Sequence, residues 1–361
     1  MLTLKINFVS TIIKIQNVIL TILRNLIWPF STSTVNSILI YKIGNIGDII
    51  TAYPAIQLIR KNYPNAKITF LTSPGSQKLK SSAQILKDQK LIDEILYYFD
   101  GKIFTHFFKI RSLKTDLCFV MSHDKTSFFT ELRNMIFFST LNIKSTIGFN
   151  VNRVNFFVNA YSRKLPYPYK NEVDRNIEIL NLSSLKNINF FSYKFGQISK
   201  KISDVAVKSR NPLIISVGAK IKSKKWDIKK FLEISKKWIA EKGDIILIGG
   251  NDDLIDSNYL NENLNRWIKK NNFDKNMIYN LCSNTSIDES IFLIANSTVL
   301  LSNDSGPAHL SSFTKTKVVS IQAPRDFKYK WDPYFSKKLV IRKNIKKISI
   351  EEVWKKLKDF C

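Results

Sequence analysis

Three short stretches of the sequence place glycine next to charged or hydroxyl side chains directly after an apolar run. They are KIGNIGD at residues 42–48, SVGAKIKSKKW at 216–226 and NDSGPAH at 303–309. A carboxylate such as that of Asp48 can act as a general base. Clustered lysines, and the free amides at the start of a helix, can bind a phosphate group. Together the three stretches predict chemistry on a phosphorylated ligand.

In the first stretch, Gly44 and Gly47 allow a tight turn from a strand into a helix, and Asp48 falls at or near the helix start. Two roles are open to this aspartate. Asp is a favoured helix cap, worth about 1 kcal/mol, and it could equally present its carboxylate as a general base. The pattern is neither a Rossmann GxGxxG nor a P-loop, since no Gly-Lys-Ser/Thr follows.

In the second stretch, Gly218 closes a strand and four lysines follow it, at Lys220, Lys222, Lys224 and Lys225. Ammonium groups gathered at a strand end suit a phosphate or a diphosphate. The alternative is a solvated loop in a Lys-rich protein, and the lysine spacing alone favours that alternative.

In the third stretch, Pro307 suits the first turn of a helix, because its missing N–H would find no partner there. Gly306 would let an anion approach the free amides, Ser305 can donate a hydroxyl, and His309 lies on the first turn. Asp304 opposes an anion unless it orients His309 or a lysine. A capped helix with a hydrogen-bonded histidine is the alternative.

The elements that must position these stretches alternate between strand and helix. Short branched runs predict strands, and 3.6-residue periods predict the helices between them; the clearest strands are predicted at 37–43, 67–73, 212–218, 244–250, 297–302 and 317–322. Strand, helix and strand at this spacing form a parallel sheet. The rhythm restarts in the second half, which predicts an α/β chain with two doubly wound Rossmann-like domains that face each other across a cleft. Ligands bind at the carboxyl ends of such strands.

We expect four segments along the chain. They are an amphipathic N-terminal helix at 1–35, an acceptor-binding domain at 36–190, a nucleotide-sugar-binding domain at 191–345 and a C-terminal helix at 346–361 that could pack on the first domain.

The N-terminal segment has an apolar face and a basic stripe at helical spacing. Lys14 and Arg24 interrupt every window long enough to span a membrane, and no signal-peptide cleavage pattern is evident. The segment is predicted to lie in a membrane interface, with Trp28 and Phe30 at its end. Its alternative role is to cover an apolar surface of the protein or of a second subunit.

The formal net charge is +27, from 56 Lys and Arg against 29 Asp and Glu. This excess suits phosphorylated substrates, anionic membranes or polyanions, although a Lys-rich composition without function can also produce it. No basic segment with interleaved aromatics is present in the sequence, so nucleic acid is not an expected partner. Three distant cysteines, with no DxD or HExxH motif, favour neither a disulfide framework nor a dedicated metal site.

Taken in this order, the three stretches resemble glycosyltransferase family 9, the heptosyltransferases of lipopolysaccharide synthesis. The resemblance runs from about Ser37 to Asp332, and its most specific part is the Asn-Asp-Ser-Gly-Pro-x-His-Leu box at 303–310. It implies a GT-B architecture and an inverting, metal-independent transfer from a nucleotide sugar, usually ADP-heptose. The apolar basic extension before Ser37 is not part of the usual pattern.

The resemblance also implies roles for individual residues. The catalytic carboxylate of the family falls on Asp48, in the turn that contains Gly44 and Gly47. An acidic residue that meets the nucleotide ribose corresponds to Asp253 or its neighbour Asp252. The remaining donor-binding residues correspond to Gly218, Lys224, Asp304, Ser305, Gly306 and His309.

The expected partners are a nucleotide-sugar donor, a lipid-linked glycan acceptor and an anionic membrane surface, with no cofactor or metal. The expected location is cytoplasmic, on the inner face of the inner membrane, and the oligomeric state is not indicated. Two alternatives stay open: a transferase that uses another nucleotide sugar for O-antigen or capsule synthesis, and a sugar-nucleotide binding protein without catalysis. In the second case, replacement of Asp48 would leave ligand affinity and cellular function largely intact.

Overall fold

The chain forms two compact units, Met1–Phe190 and Phe191–Cys361, each with its own sheet. The structure is a computed structural model, and it describes residues 2–29, 34–73, 82–97, 103–123, 126–149, 171–182, 192–273, 277–324, 329–334 and 337–360.

The sheet of the first unit has five strands in the order β3-β2-β1-β4-β5. All four pairings are parallel. The strands are β1 Ser37–Tyr41, β2 Lys67–Thr72, β3 Glu94–Tyr97, β4 Leu117–Val120 and β5 Ser145–Gly148. The central strand β1 has branched apolar side chains that are buried on both faces, as expected for a parallel sheet covered by helices.

The described helices of the first unit are α1 Leu2–Ile27, α2 Ile46–Asn62, α3 Gln84–Asp88, α4 Ile103–Arg111, α5 Phe128–Ser139 and α6 Glu172–Glu178. Helix α2 packs against α6, and α1 packs against α5. One apolar cluster joins Leu20 of α1, Ile110 of α4 and Phe138 of α5 to Leu39 and Cys118 of the sheet. Helices α1, α4 and α5 therefore cover one face of this sheet.

Helix α1 is anchored to the first unit by one stripe of its surface. Val9, Ile13 and Leu20 are buried along this stripe, and Trp28, which follows the helix, stacks on Phe149 with 5.8 Å between ring centroids. Packing on its own unit was the alternative to the membrane interface, and contact with a membrane stays a prediction. Within the described residues, no helix combines the length and the apolarity needed to cross a membrane.

The sheet of the second unit has six strands in the order β11-β10-β9-β6-β7-β8. All five pairings are parallel. The strands are β6 Leu213–Ser216, β7 Ile245–Leu247, β8 Ile278–Asn280, β9 Val299–Asn303, β10 Lys317–Gln322 and β11 Lys338–Arg342.

The described α-helices of the second unit are α7 Lys200–Lys208, α8 Ile228–Ala240, α9 Leu254–Lys270, α10 Ile287–Ala295, α11 Gly306–Leu310 and α12 Ile350–Lys358. The sequence left open that the C-terminal helix packs on the first domain. Its apolar stripe packs in the core of the second unit, where Val353 and Leu357 are buried, and contact with the first domain stays a prediction. Trp354 meets Trp238 of α8 edge-on, with 6.3 Å between ring centroids.

The predicted class, α/β with two doubly wound parallel sheets, is confirmed. The element boundaries differ in two places that affect the site. Helix α2 begins at Ile46, so Asp48, predicted at or near the helix start, lies inside its first turn. Strand β9 extends to Asn303, so the first residue of the third stretch belongs to the sheet.

Candidate active site

Asp48 lies at the carboxyl edge of the first sheet, in the first turn of α2. The preceding strand β1 ends at Tyr41, whose register partner on β4 is Val120. Asn45 is the N-cap of the helix, and its N–H donates to Asp48 Oδ2 at 2.9 Å. The cap therefore holds the carboxylate in one orientation and leaves Oδ1 for another partner.

Gly44 makes room for this carboxylate. A Cβ atom at position 44 would lie 2.4 Å from the Cβ of Asp48 and 2.7 Å from its Oδ2, which is far closer than two such atoms can approach. Gly47 lies in the first turn of α2, directly before Asp48. The turn thus needs a glycine at 44 to bring the carboxylate against the backbone.

His123 lies next to the second carboxylate oxygen of Asp48, and no sequence motif pointed to it. It follows β4 in the loop 121–123, and its Nδ1 lies 3.9 Å from Asp48 Oδ1, with its side chain 46% exposed. Partial desolvation, together with the nearby charge of Lys42, holds the pKa of His123 below its ordinary value. A rare histidine shortly after the apolar run LCFVM at 117–121 was the signal that could have identified it.

Buried charges surround this pair. Lys42 and Arg175 are fully buried, and Glu172 is almost so. Arg175 Nη1 donates to Glu172 Oε1 at 3.2 Å, and its Nη2 donates to the carbonyl oxygen of Ser122. Helix α6 is therefore fastened to the loop that carries His123.

Glu131 of α5 belongs to the same buried region. Its side chain is fully buried, and burial raises its pKa to about 7, against the opposing effects of Ser122 and Arg175. The sequence alone gives Glu131 no role, because a glutamate in the first turn of a helix is ordinarily a favourable charge that faces solvent.

In the second unit, Asn303 ties the lysine loop to the end of β9. Its Oδ1 accepts the Trp226 N–H at 3.1 Å, and its Nδ2 donates to the Val217 carbonyl at 2.7 Å. The indole of Trp226 is buried, and its Nε1 donates to the Ile348 carbonyl at 3.1 Å. The buried asparagine thus fixes the loop 217–226 beside the turn that follows β9.

Lys224 and Asp304 form an ion pair at this edge, with 2.8 Å between Nζ and Oδ2. The Asp304 side chain is 6% exposed and the Lys224 side chain is 31% exposed. Asp304 can therefore lie next to the proposed anion site, because its negative charge is balanced by Lys224, the lysine predicted to bind the phosphate.

The four lysines of this loop separate into different environments. Lys225 pairs with Asp256 of α9 at 3.1 Å, while Lys220 and Lys222 are exposed. Lys224 lies against the turn that follows β9 through its pair with Asp304. The loop is thus more ordered than the solvated alternative predicted.

The turn after β9 leads into the short helix α11, with Ser305 as its N-cap and Pro307 in its first turn. Ser305 Oγ lies 3.2 Å from Ser302 Oγ. Gly306 begins the helix next to the Lys224–Asp304 pair. His309 is buried and meets the Trp331 ring edge-on, with 6.3 Å between centroids, so its imidazole packs in the interior beneath the turn.

Asp253 lies at the same sheet edge, after β7. Its Oδ2 accepts the Gly250 N–H at 3.0 Å, and a Cβ atom at Gly218 would lie 2.3 Å from its Oδ1. Burial raises its pKa, whereas Asp252 is exposed. Of the two acids that the sequence could not separate, Asp253 is the one held beside Gly218, and a role toward the ribose stays a prediction.

Within the described residues, no group of three or more His, Cys, Asp or Glu side chains is arranged to hold a metal ion. The first unit offers a fixed carboxylate with a neighbouring imidazole. The second unit offers a lysine, a hydroxyl and the opening of α11. The groups of the first unit can accept a proton. The groups of the second unit can compensate negative charge.

The sequence matches the family model described as glycosyltransferase family 9 (heptosyltransferase) over residues 130–358, more than half of the 361 residues. The match includes Lys224, Asp253 and the turn after β9, and it begins after Asp48.

Among curated proteins, the chain is 30% identical over 131 residues to lipooligosaccharide heptosyltransferase 2 of Campylobacter jejuni subsp. jejuni serotype O:2. A second such protein, from serotype O:6, is 29% identical over the same length. Each alignment covers 34% of this chain and 39% of the relative, so the matched part spans well under half of either relative.

Solved structures show the fold over most of the chain. A family 9 glycosyl transferase from Veillonella parvula DSM 2008 aligns with a TM-score of 0.65 at 15% identity, covering 90% of this chain and 97% of that one. The E. coli ADP-heptose lps heptosyltransferase II aligns with a TM-score of 0.63 at 17% identity, covering 90% and 98%. The E. coli heptosyltransferase solved with ADP-2-deoxy-2-fluoro heptose aligns at 0.60 and 13%, covering 90% and 100%.

These likenesses confirm the predicted GT-B architecture of two Rossmann-like domains. Together with the family match across the second unit, they place the sequence by fold and by motif. The chain belongs to glycosyltransferase family 9, the heptosyltransferase family.

Proposed function

We propose that this protein is an inverting, metal-independent glycosyltransferase that moves heptose from ADP-heptose onto a lipopolysaccharide-core or related cell-surface glycan. The observation that carries the proposal is the Lys224–Asp304 pair, fixed at the carboxyl edge of the second sheet inside the segment that matches the family. The heptosyltransferase names of the matched relatives, and the ADP-heptose analogue in one similar structure, support the choice of donor.

The donor diphosphate would bind at the opening of α11. Lys224 supplies the positive charge, Ser305 a hydroxyl, and the residues after Gly306 their backbone N–H groups. Asp304 positions the ammonium group before the donor arrives, because the pair at 2.8 Å limits the directions in which Nζ can point. On binding, Lys224 shares its N–H donors between Asp304 and a phosphate oxygen.

Asp48 would act as the general base. The acceptor hydroxyl transfers its proton to Oδ1 as its oxygen forms the new bond to the anomeric carbon, and the bond from that carbon to the diphosphate breaks. Attack from the face opposite the leaving group inverts the anomeric configuration. An oxocarbenium-like transition state of this kind needs one base and a stabilised leaving group.

The leaving nucleoside diphosphate carries away the electron pair of the broken bond. Lys224 and the amides of α11 would balance the charge that develops on it, which is the part that a metal ion plays in other transferases. Asp253, beside Gly218, would accept a hydrogen bond from the ribose.

The acceptor in this proposal is a lipid-linked glycan, so the enzyme would work at the cytoplasmic face of the inner membrane. The net charge of +27 supports an anionic surface as a partner, since basic proteins are attracted to the negative potential of that leaflet.

The test is donor binding, measured by calorimetry with ADP, UDP and GDP and with their sugar derivatives. Lys224→Ala should weaken ADP-heptose binding roughly 10- to 100-fold, the range for one charge-assisted hydrogen bond to a phosphate. Lys222→Ala is the matched control, because it removes an exposed lysine of the same loop.

Binding of UDP or GDP sugars alone would keep the transferase mechanism and reject ADP-heptose as the donor. Equal losses in Lys224→Ala and Lys222→Ala would reject the assigned diphosphate site. Binding of ADP-heptose without transfer to any lipid-linked glycan would support the non-catalytic alternative.

A further inference from the structure

The exposed apolar side chains of this protein are concentrated on one helix layer. Ten of the sixteen large apolar side chains that are exposed in the described residues lie on α1, α4 and α5, the helices that cover one face of the first sheet. Scattered exposed apolar residues need no explanation, but a concentration of this kind marks an interaction surface.

Helix α1 contributes most of this surface, because its apolar face is wider than the stripe that is buried against the first unit. Beside the buried stripe runs a second one, which we call the uncovered stripe: Phe8, Ile15, Val18, Ile19, Ile22 and Leu26. At about 100° per residue these six positions fall on one side of the helix. Leu26 is 74% exposed and Phe8 is 64% exposed.

Helix α5 adds an exposed face of its own. Phe129, Arg133 and Ile136 are exposed at helical spacing, while Met135 and Phe138 point into the core. Phe107 and Phe137, with 6.3 Å between ring centroids, join α4 to α5, and α1 packs on α5. The exposed residues of α5 therefore point away from the sheet, next to α1.

The charges on these helices have one sign. The sequences of α1 and α4 contain no Asp or Glu, and α5 contains only Glu131, which is fully buried. Basic residues alternate with the apolar ones: Lys14 and Arg24 on α1, Lys109 and Arg111 on α4, and Arg133 on α5. An apolar stripe with basic and no acidic neighbours complements an anionic lipid surface.

We propose that the uncovered stripe of α1, with the adjoining face of α5, docks the first unit flat onto an anionic membrane. The apolar side chains enter the boundary between headgroups and acyl chains, while Lys14 and Arg133 stay at the phosphate level. A second copy of the chain fits this surface less well, because an isologous contact would bring the same basic side chains together. The proposal deepens the membrane partner of the proposed function, but vesicle binding needs neither donor nor acceptor, so each can fail alone.

The test uses the full-length protein and sedimentation with phosphatidylglycerol-rich vesicles, with phosphatidylcholine vesicles as the neutral comparison. Wild type should bind the anionic vesicles, and its partition coefficient should fall as salt is added. The triple variant Ile15→Gln, Ile22→Gln, Leu26→Gln should lower that coefficient at least tenfold, since each lost side chain removes apolar area from the lipid contact. Lys14→Glu with Arg133→Glu should reduce the preference for anionic lipid.

The matched control is Val207→Gln with Ile255→Gln, which makes the same chemical change at exposed positions of α7 and α9. This control should bind vesicles like wild type. Transfer to a water-soluble acceptor, and the thermal unfolding midpoint, should be unchanged in the triple variant.

Three results would overturn the proposal: no binding of wild type to anionic vesicles, equal binding by the triple variant, or equal loss in the control. A wild-type dimer in light scattering that the triple variant converts to a monomer would assign the stripe to a second copy of the chain instead.

Discussion

The two units use the same local design to hold an aspartate at the carboxyl edge of a sheet. In the first unit, the Asn45 N–H donates to Asp48 Oδ2 at 2.9 Å; in the second, the Gly250 N–H donates to Asp253 Oδ2 at 3.0 Å. In both, a glycine from the end of a strand lies directly against the carboxylate, so that a Cβ atom there would overlap it.

The surroundings of the two carboxylates differ. Asp48 has the imidazole of His123 beside its second oxygen, at 3.9 Å. Asp253 packs against two glycines, Gly218 and Gly249, and burial raises its pKa. The two units therefore share a capping geometry, and we expect the neighbours of each carboxylate to decide whether it suits proton transfer or ligand contact.

The largest expected effect separates these two roles. Asp48→Asn keeps an oxygen to accept the Asn45 N–H but cannot take a proton, so kcat should fall by about 10²- to 10⁴-fold. Donor affinity should stay within about twofold. Transfer kinetics and donor calorimetry on the same preparation measure the two quantities.

Asp253→Asn is the matched variant, with the same atoms exchanged at the other cap. It should weaken donor binding and leave kcat at saturating donor within a few-fold of wild type. If both variants lose kcat to the same extent, the distinction between the two carboxylates is wrong.

The next effect concerns stability and compares a buried glutamate of the first unit with a partly exposed one of the second. Burial raises the pKa of Glu131 from 4.5 to about 7, so its contribution to stability is complete below pH 4.5 and is lost as the pH rises through 7. Glu131→Gln should raise the free energy of unfolding at pH 8 by up to about 3 kcal/mol, since each pKa unit corresponds to about 1.4 kcal/mol. Near pH 4 the variant and wild type should be equal.

Glu289 of α10 is the control, because its pKa is shifted in the opposite direction. Its slight burial opposes ionisation, but donors from Ser199 and Ser286 hold its pKa below 4.5. Its contribution is present above pH 4.5 and lost as the pH falls further, so Glu289→Gln should weaken the protein slightly at neutral pH. Chemical denaturation across pH 4–8 measures both, and parallel pH curves for wild type and Glu131→Gln would contradict the assignment.

A third effect tests the glycines that hold the two carboxylates. Gly44→Ala and Gly218→Ala should each lower the free energy of unfolding by about 1–3 kcal/mol, because the new methyl group displaces a carboxylate. Gly44→Ala should also reduce kcat, and Gly218→Ala should reduce donor affinity. Gly196→Ala is the control, since its methyl group would meet only Asp288 at 3.6 Å, and denaturation should show a change within about 1 kcal/mol. Equal changes at all three positions would contradict a specific role for the two close contacts.

The fold was predictable because most strands of these sheets are short branched runs and helices such as α8 and α12 have an amphipathic period, which are local signals. Strands β5, β8 and β11 were not among the predicted strands. The prediction that KVVSIQ is a strand matches β10 at both ends, Lys317 and Gln322. Helix caps shift some other boundaries: Asn45 is the N-cap of α2, so the helix begins at Ile46.

The residues of the candidate site could be predicted within each stretch of sequence, but the contacts between stretches could not. Lys224 and Asp304 are eighty positions apart, and they meet because β6 pairs with β9, which no local pattern specifies. The burial of Glu131 and the second stripe of α1 also depend on tertiary packing. A buried charge next to a helix cap looks in sequence like an ordinary exposed one.

The smallest expected effect concerns His123 and would sharpen the difference between the two caps. Below its lowered pKa, His123 becomes cationic and stabilises the Asp48 carboxylate, which makes that carboxylate a weaker base. At about 4 Å and in contact with solvent, the interaction is worth about 1 kcal/mol, or roughly fivefold in rate. Wild type should therefore show a drop in kcat on the acid side, at a pH below 6.5, that His123→Gln lacks.

Lys42 and Arg175 lower the pKa of His123, while Asp48 and Glu172 raise it. The comparison with His123→Gln isolates the imidazole, because every other titratable group near Asp48, Glu131 included, is the same in both proteins. At alkaline pH the two proteins should have the same kcat, because His123 is neutral there and takes no part in the transfer. Superimposable pH profiles would show that Asp48 does not sense the imidazole. A loss of kcat at every pH would instead make His123 a catalytic group, and the first-unit site would then work as a pair.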